Sequence, residues 1–145
     1  GRITEGQNQA INTLWTIYGI DYSKEFLNFP FIFNNNNPIH LEIGFGDGES
    51  LIKQAVSNLE NNYIGIEVHD PGIGRCLMNI KKYNLTNIMI SSHDAIEVIN
   101  DQIKENTLER INLYFPDPWP KDRQRKHRLL QAEFLENLYN ATITG

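Results

Sequence analysis

Hydrophobic and polar positions follow two rhythms along this chain, one of period about 3.6 and one of period two. Ala10, Ile11, Leu14 and Trp15 recur at helical spacing between Glu5 and Thr16 and stop before Gly19, which predicts a leading helix. Between Asp21 and Pro38 the pattern fades, and the polar run Asn34 to Asn37 reads as a mobile connector with no function of its own. From Ile39 the order sharpens. Ile39, Leu41 and Ile43 mark a short strand, Gly44-Phe45-Gly46-Asp47-Gly48 breaks it, and Leu51, Ile52, Ala55, Val56 and Leu59 set up a helix. A second strand over 62–68 leads to a helix with Ile73, Cys76, Leu77, Ile80 and Tyr83 on its buried face, with Asp70 as its cap and Pro71 as its first residue. A third strand over 87–91 leads to a helix with Ala95, Val98, Ile99 and Ile103 inward and Asp94 at its start. A fourth over 110–115 precedes a helix from His127 to Ala141 with Leu130, Phe134, Leu135 and Leu138 inward.

At 145 residues, with 40% hydrophobic and 21% charged residues, this is one α/β domain of ordinary soluble composition. No apolar run approaches a membrane span and no signal peptide is visible, so no membrane partner is expected. Cys76 is the only cysteine, which excludes an intrachain disulfide and suits a reducing, cytoplasmic setting. His40, His69, His93 and His127 have no ligand spacing, so no metal is expected. A net charge of −5 argues weakly against nucleic acid. Its distribution changes that picture: Lys121, Arg123, Arg125, Lys126 and Arg128 against Asp122 give +4 within eight residues, leaving −9 for the rest. Such a run is either a solvated face or a contact for phosphates.

The glycine turn is the strongest chemical signal. Residues without Cβ atoms let a backbone turn tightly and approach a ligand, while the next helix aims unpaired N–H groups at the same place. The dinucleotide pattern G-x-G-x-x-G would put its third glycine at Glu49; here it falls at Gly48, and Glu42 stands two residues before Gly44. A carboxylate there suits the cationic donor S-adenosylmethionine better than a pyrophosphate, although glycines that merely close a tight turn explain the segment too. Glu67 lies where an acid accepts hydrogen bonds from ribose hydroxyls in dinucleotide folds. Asp94 is explained equally by helix capping and by a cofactor contact. In Pro116-Asp117-Pro118-Trp119-Pro120-Lys121 the alternating prolines forbid helix and ladder alike, so a stiff loop presents Asp117, Trp119 and Lys121 beyond the fourth strand.

LEIGFG, GIEVH, HDA and FPDPWPK with the basic stretch after it, together with the leader GRITEGQ, resemble the bacterial tRNA (guanine-N7)-methyltransferase family in order and spacing. The resemblance implies a class I S-adenosylmethionine-dependent methyltransferase fold, Rossmann-like, with parallel sheet order 3-2-1-4 and helices on both faces. It implies a leading helix and connector over 1–38 and a cofactor-binding core over 39–145, truncated before further strands that family members carry. Glu42, Glu67, Asp94 and Asp117 become cofactor-binding positions, and Gly44, Gly46 and Gly48 cradle the methionine end. Asp117 is also the catalytic position and Lys121 a substrate-binding position, the substrate being a guanine in the variable loop of tRNA; Arg123 and Arg125 are expected beside it from the basic run itself. Neutral guanine offers N7 as an acceptor, so attack on the sulfonium methyl needs no deprotonation. Asp117 either offsets the charge that forms on the purine or accepts from the guanine amide edge. The uncovered fourth strand invites pairing with a second copy, so a homodimer is among the expected states. Two other readings use the same strand, turn and helix: a nucleotide-dependent oxidoreductase, and a non-catalytic cofactor- or RNA-binding fragment.

Overall fold

The computed structural model describes residues 4–114 and 124–144, the side chains of Gln7 and of 124–130 excepted. Strands β1 (Ile39–Ile43), β2 (Asn62–Ile66), β3 (Ile88–Ser91) and β4 (Arg110–Leu113) form one parallel sheet in the expected order β3-β2-β1-β4. Leu41 of β1 lies beside Ile64 of β2 and Ile111 of β4, and Glu42 beside Gly65 and Asn112. Helices α1 (Glu5–Tyr18), α2 (Phe29–Phe33), α3 (Glu49–Ser57), α4 (Asp70–Lys82), α5 (Ala95–Gln102) and α6 (Gln124–Ala141) are distributed over both faces.

Side chains alternate across a strand, so each strand feeds two cores. Ile39, Leu41, Ile43, Ile64 and Ile66 pack with α2, α5 and α6 through Phe29, Phe33, Val98, Ile99, Phe134 and Leu138. Tyr63, Ile88 and Ile90 pack on the opposite face with Leu14 of α1, Leu51 and Ala55 of α3, and Cys76, Leu77 and Ile80 of α4. Burial on both faces is what a parallel sheet requires.

Several expectations from the sequence change. The stretch between Asp21 and Pro38, where no element was expected, contains α2, capped by Asn28, whose side chain accepts from Phe31 N at 3.1 Å. The asparagine run is tied down as well: Asn35 Oδ1 accepts from Asn37 N at 3.0 Å and from Asn62 Nδ2 at 2.7 Å. The N-cap of α4 is His69, not Asp70, which is the first helical residue. Tyr83 and Leu135, expected inward, are exposed. Among the described strands β4 pairs only with β1, whereas the outer edge of β3 is partly covered where Ile20 N donates to Ile90 O at 2.7 Å.

Candidate functional site

β1 ends where Gly44 N donates to Ile66 O at 2.8 Å, and the chain then turns through Gly44, Gly46 and Gly48 at φ 78°, 65° and 82°. Side-chain-bearing residues adopt such angles only at a cost. At Gly46 the space a Cβ would fill is open, with nothing within 4 Å, so the bare backbone faces a void. Gly46 N donates to Glu67 Oε1 at 2.8 Å, while Glu67 Oε2 accepts from Val68 N at 2.8 Å and His69 N at 3.2 Å. One carboxylate thus locks the turn after β1 to the end of β2. A carboxylate has about four acceptor sites. Three are used here, leaving one for a ligand hydroxyl.

Beyond Gly46 lies a cleft of about 380 Å³. Ile43, Ile66, Leu113 and Phe134 line its depth; Val68 and Ile96 stand at its mouth, and Glu67, Asp94 and Gln131 supply polar atoms. Val68 is 64% exposed and Ile96 37%, an arrangement that leaves apolar surface in water until something flat covers it. Asp94 has two places in the structure. Its side chain caps α5 by accepting from Glu97 N at 3.3 Å, and it lines the cleft.

Glu42 lies elsewhere. Leu41 and Ile43 face the core shared with α5 and α6, so the period of two turns Glu42 to the α3 side, where it is 2% exposed. Its Oε1 accepts from Gln54 Nε2 at 3.0 Å. Burial pushes its pKa up, and hydrogen bonds from Gln54 and Asn112 oppose that shift. Glu42 lines a second cleft, of about 550 Å³, with Asp47, Glu49, Ser50 and Lys53, which shares Gly44, Gly46 and Tyr114 with the first. The two clefts therefore lie on either side of the glycine turn. Gly48 lines neither; it packs on Cys76, whose thiol is pushed up to about 12, mainly by burial and then by Glu42 and Asp47.

The structure brings Gly44, Gly46, Glu67 and Asp94 to one cleft and sets Glu42 behind the turn. Asp117, Lys121 and Arg123 lie outside the described residues, and Arg125 belongs to α6 without a described side chain. Val68, Ile96, Gln131 and Gln54 were not singled out from the sequence. Ile96 carried a usable signal, an apolar residue out of phase with the inward set of its helix; Gln54 carried none. No group of three or more His, Cys, Asp and Glu side chains among the described residues is arranged to hold a metal ion, and no helix there is long and apolar enough to cross a membrane.

The model of a family described as putative methyltransferase matches residues 36–144. The chain is 45% identical over 145 residues to a tRNA (guanine-N(7)-)-methyltransferase of Vibrio cholerae, covering 100% of this chain and 61% of that protein. It is 46% identical over 145 residues to one of Psychromonas ingrahamii, covering 100% of this chain and 60% of that protein. The chain thus spans about three fifths of the length of the curated relatives it matches. Among solved structures it resembles an antibiotic-related methyltransferase with TM-score 0.62 and 22% identity, over 86% of this chain and 61% of that one. It also resembles the 16S rRNA methyltransferase KamB with TM-score 0.61 and 16% identity, over 83% and 56%. At such identities the likeness shows the fold, which is that of the class I methyltransferases.

Proposed function

The chain belongs to the putative methyltransferase family, and from that premise we propose that it is a single methyltransferase domain of a cytoplasmic enzyme that moves a methyl group from S-adenosylmethionine to N7 of a guanine in the variable loop of tRNA. The observation that carries this reading is the cleft in which Glu67 and Asp94 flank the open backbone of Gly46. Its residues fit the cofactor. Apolar surface at Val68 and Ile96 suits a purine, the free acceptor site on Glu67 suits a ribose hydroxyl, and the lining acids favour a cation. No lysine or arginine lines it among the described residues, which disfavours the pyrophosphate of a dinucleotide and with it the oxidoreductase reading. The tRNA substrate is the one that the names of the relatives carry.

When bound, S-adenosylmethionine supplies an electrophilic sulfonium methyl, and guanine N7 needs no base to react with it. The task left to the chain is positioning, worth up to about 7–11 kcal/mol when reacting atoms are well aligned. Glu67 orients the ribose end, Asp94 the purine end, and Gly44, Gly46 and Gly48 let the turn pass close to the methionine end, with Glu42 behind it. Asp117, three residues after Tyr114, is the proposed catalytic group, offsetting the charge that forms on the purine or accepting from its amide edge. Lys121, Arg123 and Arg125 are the proposed tRNA contacts.

Calorimetry of the intact protein with S-adenosylmethionine, its demethylated product and NAD, followed by single-turnover transfer of a tritiated methyl group to unmodified tRNA, separates the three readings. Binding of the methyl donor with transfer to guanine N7 is the expected result. Tighter binding of NAD sinks the cofactor assignment, and binding without transfer leaves a non-catalytic module.

A further inference from the structure

A third cleft, of about 340 Å³, opens between α1 and the start of α4, on the far side of the β2 and β3 strand ends from the cofactor cleft. Trp15, Ile11 and Ile73 form its apolar part, and Asn12, Thr16, Asp70 and Ser92 its polar part. The indole is fixed in place. Its N–H donates to Asp21 Oδ1 at 2.8 Å, and Gly19 lies so close to the ring-fusion atoms that a Cβ there would overlap them. The surface left to the cleft is immobile, flat aromatic carbon whose one polar group is already satisfied.

The polar groups narrow the ligand further. Thr16 Oγ1 makes one long bond, to Thr13 O at 3.4 Å, and the side chains of Asn12, Asp70 and Ser92 have no partner among the described residues. The only charge in the lining is the Asp70 carboxylate, which repels phosphates and carboxylates and accepts from N–H groups. A flat, uncharged molecule with N–H donors on its edge is what these groups would hold. Nucleobases meet that description, and purines give the larger stacking area. The location favours a base that belongs to a polynucleotide. Asp70 is three residues from Glu67 and Ser92 two from Asp94, so the same two strand-end loops carry both clefts.

We propose that this cleft binds a second, unpaired purine of the RNA substrate, stacked on Trp15 with its N–H edge toward Asp70, and so anchors the RNA beside the cofactor site. The source of the base rests on the proposed RNA methylation; the chemistry of the cleft does not. Trp15 and Trp119 are the only tryptophans of the 145-residue sequence, so a Trp119→Phe form of this chain reports on Trp15 alone. Short purine oligoribonucleotides should quench its fluorescence saturably and oligouridine much more weakly. Removing one stacked base weakens single-strand binding by about 1–3 kcal/mol, which is about five- to a hundredfold. With Trp119 retained, Trp15→Leu should therefore raise KM for tRNA by that factor without changing kcat or the affinity for S-adenosylmethionine, and Trp15→Phe should recover most of the loss. Absence of quenching by RNA, or an unchanged KM in a folded Trp15→Leu protein, overturns the proposal. Quenching by free guanosine or adenosine with no gain from the oligonucleotide overturns the RNA source. A protein that transfers no methyl group but shows purine-selective RNA quenching keeps this site and loses the proposed function instead. The quenching arm leaves Trp15 intact, so it decides the matter even where Trp15→Leu fails to fold.

Discussion

The Glu67 carboxylate already accepts three backbone N–H groups, from Gly46, Val68 and His69, so its removal loosens the protein as well as any ligand contact. Glu67→Ala should weaken S-adenosylmethionine binding by about 1.5–3 kcal/mol, the range for a hydrogen bond to a charged group. Calorimetry reads it, and a variant that binds like the parent removes Glu67 from the site. Glu42 differs in kind, because burial holds its pKa above the usual carboxylate value. For a raised pKa the stabilising contribution is fully present below the unfolded value and is lost as pH rises through the folded one. Glu42→Gln keeps an oxygen for Gln54 and has no proton to lose, so relative to the parent it should become more stable as pH rises from acid to neutral. Urea midpoints at both ends of that range check it; a pH-independent difference would sink the assignment. Both acids were legible in the sequence from their distance to Gly44 and Gly46. The side of the turn that Glu42 faces was legible too, since it alternates with Leu41 and Ile43, but its partner Gln54 depends on how α3 docks.

Helix α4 reaches the site through Gly72, where a Cβ would overlap the carbonyl oxygen of Gly46. The glycine turn is thus shaped by its own dihedrals and by a helix seated directly on it. Gly72→Ala should push the turn off α4, lowering both stability and affinity for the methyl donor, although alanine is the better helix former by about 0.8–1 kcal/mol. Urea unfolding with parallel calorimetry tests this, and a stabilised variant with unchanged affinity would show that the turn does not depend on α4. The four strands, their helices and the cap at Asp94 were readable because period two and period 3.6 alternate cleanly from Ile39 onward. Helix α2 was not, since the five residues Phe29–Phe33 are too few to show a period and Phe31 is exposed amid buried Phe29 and Phe33. His69 displaced Asp70 as cap of α4 because Pro71 tolerates either of the first helical positions, so the helix starts one residue earlier than the capping preference suggested.

At the largest scale, the proposed affinity for tRNA meets a net charge of −5 over these 145 residues, and the basic run from Lys121 to Arg128 is the part of the sequence suited to supply much of it. Replacing Arg123, Arg125 and Lys126 by alanine should flatten the salt dependence of tRNA binding by about 0.7–0.9 in log–log slope for each phosphate no longer neutralised. An unchanged slope assigns these residues to a solvated face. The same segment is where sequence pattern outruns the described structure, because the prolines around Asp117 specify a stiff loop without specifying where it points. What fixes its origin is Tyr114, the residue after β4, whose N donates to Ile43 O at 2.9 Å and which borders both clefts. Tyr114 stands where the two clefts meet, three positions in sequence before the carboxylate proposed to act on the base. Asp117→Ala in the intact protein should then lower single-turnover methyl transfer by at least about 10²–10³-fold, the usual loss for one electrostatic stabiliser. The effect should fall on the rate at saturating tRNA rather than on tRNA affinity, which is proposed to come largely from the basic segment. A near-parental rate at saturation would remove Asp117 from catalysis, and a loss confined to KM would make it a binding group for the guanine edge.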